Sequence, residues 1–305
     1  MDLAVNIGRL RLKNPVMVAS GTFGCGEEYS DFFDIDELGA IVTKTITLMP
    51  RVGNSPPRTF ETSSGMLNSI GLENPGLGDF LKNKAPFLKK AGTAVIASIA
   101  GNDGHEFARL AEKLDDAGCV DALELNLSCP NIKYEKARQM MIAQDAGAVE
   151  KIVKAARRST KLTVIAKLSP NVTDIREIAR TCEGSGADAV SLINTFPSMG
   201  VDIRARTPSL GNITGGLSGP AIKPIALKMV WDVYRAVDIP VIGIGGIMTS
   251  DDAIEFILCG ATAIQVGTAN FVNPRSSADI VKGIKRYLAA TKLKGVKELV
   301  GALRT

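Results

Sequence analysis

Histidine is almost missing from this sequence: among 305 residues there is one, His105. A lone imidazole cannot build a multi-histidine metal site. His105 lies in "GNDGHEF" with no cysteine or carboxylate constellation around it, and reads as a solvated residue where a helix begins. Cysteine is scarce and unpaired. Cys25, Cys119, Cys129, Cys182 and Cys259 form no C-x-x-C pair and are odd in number, so neither a disulfide framework nor a zinc or iron–sulfur site is signalled. No apolar run reaches the roughly 18 residues that a membrane span needs. The start, "MDLAVNIGRL", carries an early acid and no signal-peptide apolar region, so a cytoplasmic protein is expected. Basic blocks with interleaved aromatics are also lacking. The net charge of +4 comes from scattered Lys and Arg, and aromatics make up only 5%, which argues against nucleic acid as a partner.

What is present is core-forming material, with 45% hydrophobic and 22% charged residues, well away from the disordered class. Eight short runs, "VMVAS", "AIVTK", "TAVIAS", "DALELN", "TVIAKL", "DAVSLIN", "PVIGIGG" and "TAIQVG", have strand character. Between them lie amphipathic stretches such as "HEFARLAEKLDDAG", "AGAVEKIVKAARRS" and "SDDAIEFILCG", whose apolar residues recur at spacings of three and four. Strands that are apolar without alternation are covered on both faces. Eight β/α alternations therefore predict a parallel sheet closed into a (β/α)8 TIM barrel, with a doubly wound open sheet as the rival. No repeat, low-complexity tract or long linker divides the chain, so residues 1–305 are expected to form one domain.

The connections are asymmetric. Helix-to-strand links are short, as in "EGSGADAV" and "LCGATAI", whereas long strand-to-helix links follow Lys44, Asn126 and Asn194. In a barrel these long loops emerge at the carboxyl ends of the strands, where barrel enzymes keep their sites. The strand ends themselves are polar: Lys44, Asn126 with Cys129 and Asn131 beyond it, Lys167, and Asn194 with Thr195. Any one of these could be a turn residue. Together they offer amide donors and acceptors suited to a flat ligand with imide edges, and ammonium groups suited to an anion. In "GIGGI" and "QVGT" the last two strands end on glycines, where barrels commonly bind phosphate, although tight-turn glycines read the same way. Ser218 and Gly219 precede Pro220, a favourable first helical residue.

The set "NSIGLENPG", "NLSCPN", "KLSPNVTDI", "INT", "TGGLSGPAIKP" and "IPVIGIGGI…GATAIQVGT" resembles, over nearly the whole chain, the catalytic chain of dihydroorotate dehydrogenase. It is most similar to the NAD-linked class. That resemblance implies a barrel holding FMN that oxidises dihydroorotate to orotate in pyrimidine biosynthesis. It also implies an electron-transfer subunit carrying FAD and [2Fe-2S], in a heterotetramer with two copies of each chain. It makes Cys129 the base that takes a proton from C5 while hydride leaves C6. Orotate would be held by Lys44, Asn68, Ile70, Gly71, Leu72, Asn126, Asn131, Asn194 and Thr195. FMN would be held by Ala19, Ser20, Gly21, Lys44, Thr45, Ser98, Asn126, Lys167, Ile193, Ser218, Gly219, Gly245, Gly246, Gly267 and Thr268, with Lys167 near flavin N1 and O2. The chain departs from the family pattern at Ser98, where relatives often carry Asn, and after "CPN", where "IKYEKARQMMIA" replaces a glycine-containing stretch. Other readings compatible with the residues are a fumarate-linked dehydrogenase, a phosphate-binding lyase or isomerase without flavin, and a non-catalytic binding barrel.

Overall fold

The computed structural model describes residues 1–128 and 142–304; Cys129, Asn131 and the stretch "IKYEKAR" lie outside the described residues. Eight strands close into a parallel barrel: β1 (Val16–Val18), β2 (Ala40–Val42), β3 (Ala94–Ile99), β4 (Ala122–Asn126), β5 (Thr163–Lys167), β6 (Ala189–Leu192), β7 (Val241–Ile244) and β8 (Ala263–Val266). Each hydrogen-bonds to its sequence neighbours. The ring closes where β8 meets β1, with Ile264 opposite Val16 and Val266 opposite Val18. The strands fall on the eight runs expected from sequence, and β1, β2, β5, β6, β7 and β8 are buried at every residue. Burial on both faces is why they read as continuous apolar runs instead of alternating ones.

The longer helices packed around the barrel are α1 (Gly104–Ala117), α2 (Ala146–Arg158), α3 (Ile175–Gly184), α4 (Lys223–Tyr234), α5 (Ser250–Leu258) and α6 (Ser276–Thr291). Their starts are set by side-chain caps. Asp103, Asp145 and Asp174 accept from backbone N–H groups of the first turns of α1, α2 and α3, and Thr249 with Asp252 forms a capping box on α5. Each helix lays an apolar stripe on the barrel. In α1 the stripe is Phe107, Leu110, Ala111 and Leu114, a spacing of three and four that keeps one face inward. Gly118 ends α1 in the left-handed region at φ 52°, which an ordinary side chain resists. His105 is exposed in the first turn of α1, as its sequence context predicts.

The two ends of the barrel are built differently. A hairpin of Val5–Ile7 with Leu10–Leu12 turns at Gly8 against Asp188, the residue just ahead of β6, and so lies at the amino-terminal end. At the opposite end the long excursions after β2 and β6 are not loops throughout. They join into a four-stranded antiparallel sheet, ordered Phe196–Ser198, Gly215–Ser218, Gly65–Asn68, Thr59–Thr62. These strands are short and mostly half-buried or exposed, with Thr59–Thr62 exposed at three of its four residues, so they carry little of the apolar signal that marks the barrel strands. Among the described residues, no helix is long and apolar enough to cross a membrane.

Candidate active site

Because all eight strands run the same way, the polar strand ends emerge together at one rim. There a row of side chains forms a continuous hydrogen-bonded chain: Ser20 Oγ lies 3.1 Å from Thr45 Oγ1, which lies 2.9 Å from Ser98 Oγ and accepts from Asn126 Nδ2 at 3.5 Å. Thr45 is therefore the hub of the row, and Ser98, fully buried, is held in it in spite of its departure from the family pattern. A step deeper, Lys167 at the end of β5 is only 6% exposed, with its Nζ 3.6 Å from Glu124 Oε1. The other carboxylate oxygen of Glu124 accepts from Ser191 Oγ at 3.0 Å and Gln265 Nε2 at 2.6 Å. Lys44, half-buried at the end of β2, is fixed by its backbone N–H to Gly24 O at 2.8 Å. Its ammonium makes no ion pair among the described residues.

The glycines after β7 and β8 build the adjoining section of rim. Gly245 and Gly246 turn with φ of 130° and 71°, and a Cβ on Gly246 would come within 2.7 Å of Lys223 Cβ and 2.9 Å of Gly219 O. Only glycine permits that approach. Lys223, at the start of α4, is in turn anchored to Asp252 (2.6 Å) and Glu255 (2.9 Å). Thr268 Oγ1 donates to Ser218 Oγ at 2.8 Å, and Ala19 N donates to Val266 O at 2.8 Å, which draws β1, β8 and the Ser218–Gly219 turn together. Gly21, at φ 85°, has no atom within 4 Å of where a Cβ would lie, so its backbone faces open space. Ile193 is buried at the end of β6, its N–H bonded to Ile244 O at 2.9 Å.

A wall across the rim comes from the antiparallel sheet. Asn68 Nδ2 donates to Gly216 O at 3.2 Å, and a Cβ at Gly216 would land on Thr195 Oγ1, so a bare backbone there makes room for Thr195. Asn194 N donates to Leu168 O at 3.1 Å, and Asn194 Oδ1 accepts from Thr195 N at 2.8 Å. The segment Ile70, Gly71 and Leu72 bends through positive φ at Gly71 (75°) and Leu72 (56°). It is held from below by Asn74, whose Oδ1 accepts from Thr47 N and Gly76 N and whose Nδ2 donates to Leu72 O.

Gly267, just past β8, lies against Ala19, where a Cβ would come within 3.6 Å of Ala19 Cβ, so the expected site residues within the described residues belong to the barrel rim or to the elements folded over it; Cys129 and Asn131 lie beyond Ser128, outside them. The remaining four cysteines are free and poorly suited to proton abstraction. Burial, with the Glu28 charge adding to it, pushes the Cys25 thiol up to about 11. Burial alone pushes Cys182 to about 12, and it also raises Cys119 and Cys259. Sequence reading passed over Glu124, Ser191 and Gln265, although a charged residue inside "ALELN" and an amide inside "AIQV" were the available signal.

A closed (β/α)8 barrel whose glycine turns, cations and amides converge on the carboxyl rim defines a barrel enzyme with a ligand site at that rim. The family described as dihydroorotate dehydrogenase matches residues 2–288. The chain is 53% identical, over 99% of its length and 98% of the relative's, to the catalytic subunit named dihydroorotate dehydrogenase B (NAD(+)) of Trichlorobacter lovleyi. It is 54% identical to the protein of the same name from Desulforamulus reducens, again over 99% and 98% of the two chains. A dihydroorotate dehydrogenase of Eimeria tenella, solved in complex with ferulenol, shares the fold with a TM-score of 0.80 at 24% identity, covering 99% of this chain and 88% of that one. The chain belongs to the dihydroorotate dehydrogenase family, whose members are FMN-dependent oxidoreductases.

The anchor behind the glycine turn should show in acid stability. Burial pushes the Asp252 carboxyl up, but hydrogen bonds from Lys223 and from the Met248 and Thr249 N–H groups outweigh it and hold the group below its ordinary value of 3.8. A depressed carboxyl contributes stability above the unfolded value and loses it as pH falls through the folded one. Asp252→Asn is therefore expected to be less stable than wild type in urea at pH 7, with the difference closing below about pH 4. A difference that stays constant down to pH 3 would contradict this origin.

Proposed function

We propose that the chain is the catalytic subunit of an NAD-linked enzyme that oxidises (S)-dihydroorotate to orotate in de novo pyrimidine biosynthesis. In this reading it works in the cytoplasm in a heterotetramer, two copies of each chain, with an electron-transfer subunit that carries FAD and [2Fe-2S]. The observation that carries the reading is the buried Lys167 below the row of Ser20, Thr45, Ser98 and Asn126, beside a glycine turn whose backbone is bare. A hydroxyl and amide row next to a buried ammonium suits the polar edge of an isoalloxazine ring. Gly219, Gly245, Gly246, Gly267, Ser218 and Thr268 suit a phosphate, and the open backbone at Gly21 leaves space for the ring system. The residues fit FMN. Bound there, FMN supplies the acceptor for the hydride that leaves C6 of dihydroorotate.

The chain's own groups do the rest. Lys44, with no ion pair among the described residues, is the cation for the substrate carboxylate. Asn68, Asn126 and Asn194, together with Asn131, read the ring's amide edges, since each amide can both donate and accept. Ile70, Gly71, Leu72 and Thr195 close over the ring from the antiparallel sheet. Cys129 follows Ser128 directly in sequence, just past the end of β4, and takes the proton from C5. A thiol is a weak base at neutral pH unless nearby cations or hydrogen-bond donors favour thiolate. Burial raises the thiols of Cys25, Cys119, Cys182 and Cys259; the assignment of Cys129 as base rests on the resemblance of "NLSCPN" to the family motif.

Support for the partner comes from what these 305 residues contain. "GTFGCGEE" after β1 is not a G-x-G-x-x-G dinucleotide fingerprint, and the cysteines are not clustered to hold an iron–sulfur relay. The relatives from Trichlorobacter lovleyi and Desulforamulus reducens carry the words "catalytic subunit" in their names.

Two outcomes are expected. Cys129→Ala should lower turnover with an artificial acceptor by at least about a hundredfold while FMN stays bound, because it removes the proton acceptor only. Cys129→Ser should recover activity mainly at high pH; turnover of the Ala variant near that of wild type would place the base elsewhere. In steady-state assays the isolated chain should reduce artificial acceptors but not NAD, with NAD reduction appearing when the FAD and iron–sulfur subunit is added. Rapid fumarate reduction by the isolated chain would instead assign it to the fumarate-linked class.

A further inference from the structure

Glu124 is the one charged residue of β4, and it is fully buried inside the barrel. Barrel interiors are ordinarily packed in layers of branched aliphatic side chains drawn from alternate strands. Here the alternate strands β4, β6 and β8 contribute Glu124, Ser191 and Gln265, all with no exposed surface and joined through Glu124 Oε2. A carboxylate in such a place is strongly disfavoured unless it is paired and hydrogen-bonded. Only half of Glu124 is satisfied in that way: Oε1 is buried without a hydrogen bond among the described residues. Its neighbour is the Lys167 ammonium at 3.6 Å, close enough for strong Coulomb attraction but too far for a hydrogen bond. Lys167 Nζ makes no hydrogen bond to any described residue. The two donors on Oε2 hold the carboxylate back, and the ammonium keeps its donors for a ligand at the rim.

We propose that Glu124 is a positioning residue: restrained by Ser191 and Gln265, it acts as the counter-ion that aims Lys167 and limits the positive potential Lys167 imposes on the bound flavin. The inference rests on the FMN reading above. Its sign follows from charge. Removing the carboxylate charge leaves the ammonium uncompensated, so an electron-rich flavin is stabilised. Freeing the carboxylate from Gln265 lets it close on Lys167, so the ammonium's field is weakened.

The test uses the purified FMN-loaded chain and reads the flavin midpoint potential and the dissociation constant for sulfite, an anion that adds to the flavin. For Glu124→Gln, a fixed charge in the barrel gives sulfite binding tighter by about tenfold, and a potential more positive by about 30 mV for the two-electron couple. For Gln265→Leu both readings move the opposite way, and this variant keeps the buried charge where Glu124→Gln fails to fold. FMN bound at wild-type stoichiometry with an unchanged potential and unchanged sulfite affinity in the folded variants overturns the proposal while leaving the FMN reading intact. Wild-type protein that takes up no FMN fails the functional reading itself.

Discussion

A parallel strand can return to its neighbour only by a crossover, and when eight such strands close into a ring every carboxyl end must emerge on the same side. The pairing of β8 with β1 and of β5 with β6 fixes that geometry here. It brings Lys44, Ser98, Asn126, Lys167 and the glycines after β7 and β8 to one rim from positions as far apart in sequence as Lys44 and Gly267. It also leaves both long excursions, after β2 and after β6, nowhere to go but over the same opening, where they pair with each other as an antiparallel sheet. Site and cover are thus consequences of one closure.

The same closure creates a dry interior in which charge has to be managed. Glu124 and Lys167 face each other there with little water to screen them, so their interaction is stronger than the same pair would have at the surface. Surface pairs such as Lys154 with Glu150 or Lys228 with Asp232 are i,i+4 contacts on exposed helix faces and contribute little by comparison. The layer of Glu124, Ser191 and Gln265 replaces aliphatic packing with hydrogen bonds.

Most of this was legible in the sequence, for identifiable reasons. The eight barrel strands announced themselves because burial on both faces forces unbroken apolar runs, and helices such as α1 and α2 because a stripe at spacings of three and four ends at Asp caps and at Gly118. Lys44, Asn126, Lys167, Asn194 and Thr195 stood out as polar strand ends, whereas Ser20, Thr45, Ser98 and Asn68 were named only through the family resemblance. Less visible were the antiparallel sheet, whose strands such as "GGLS" and "GMLN" are short and half-exposed, and the amino-terminal hairpin at Gly8. Glu124 and Gln265 were missed because their importance depends on which strands are spatial alternates, a fact of closure and not of local pattern.

Anaerobic titration of the purified protein with dihydroorotate, followed by visible absorbance, tests the central claim most directly. A yellow protein whose flavin absorbance bleaches with about one equivalent of dihydroorotate per chain is the expected result, since a barrel offers one such rim. A colourless protein, or a bound flavin that dihydroorotate does not bleach, would contradict it.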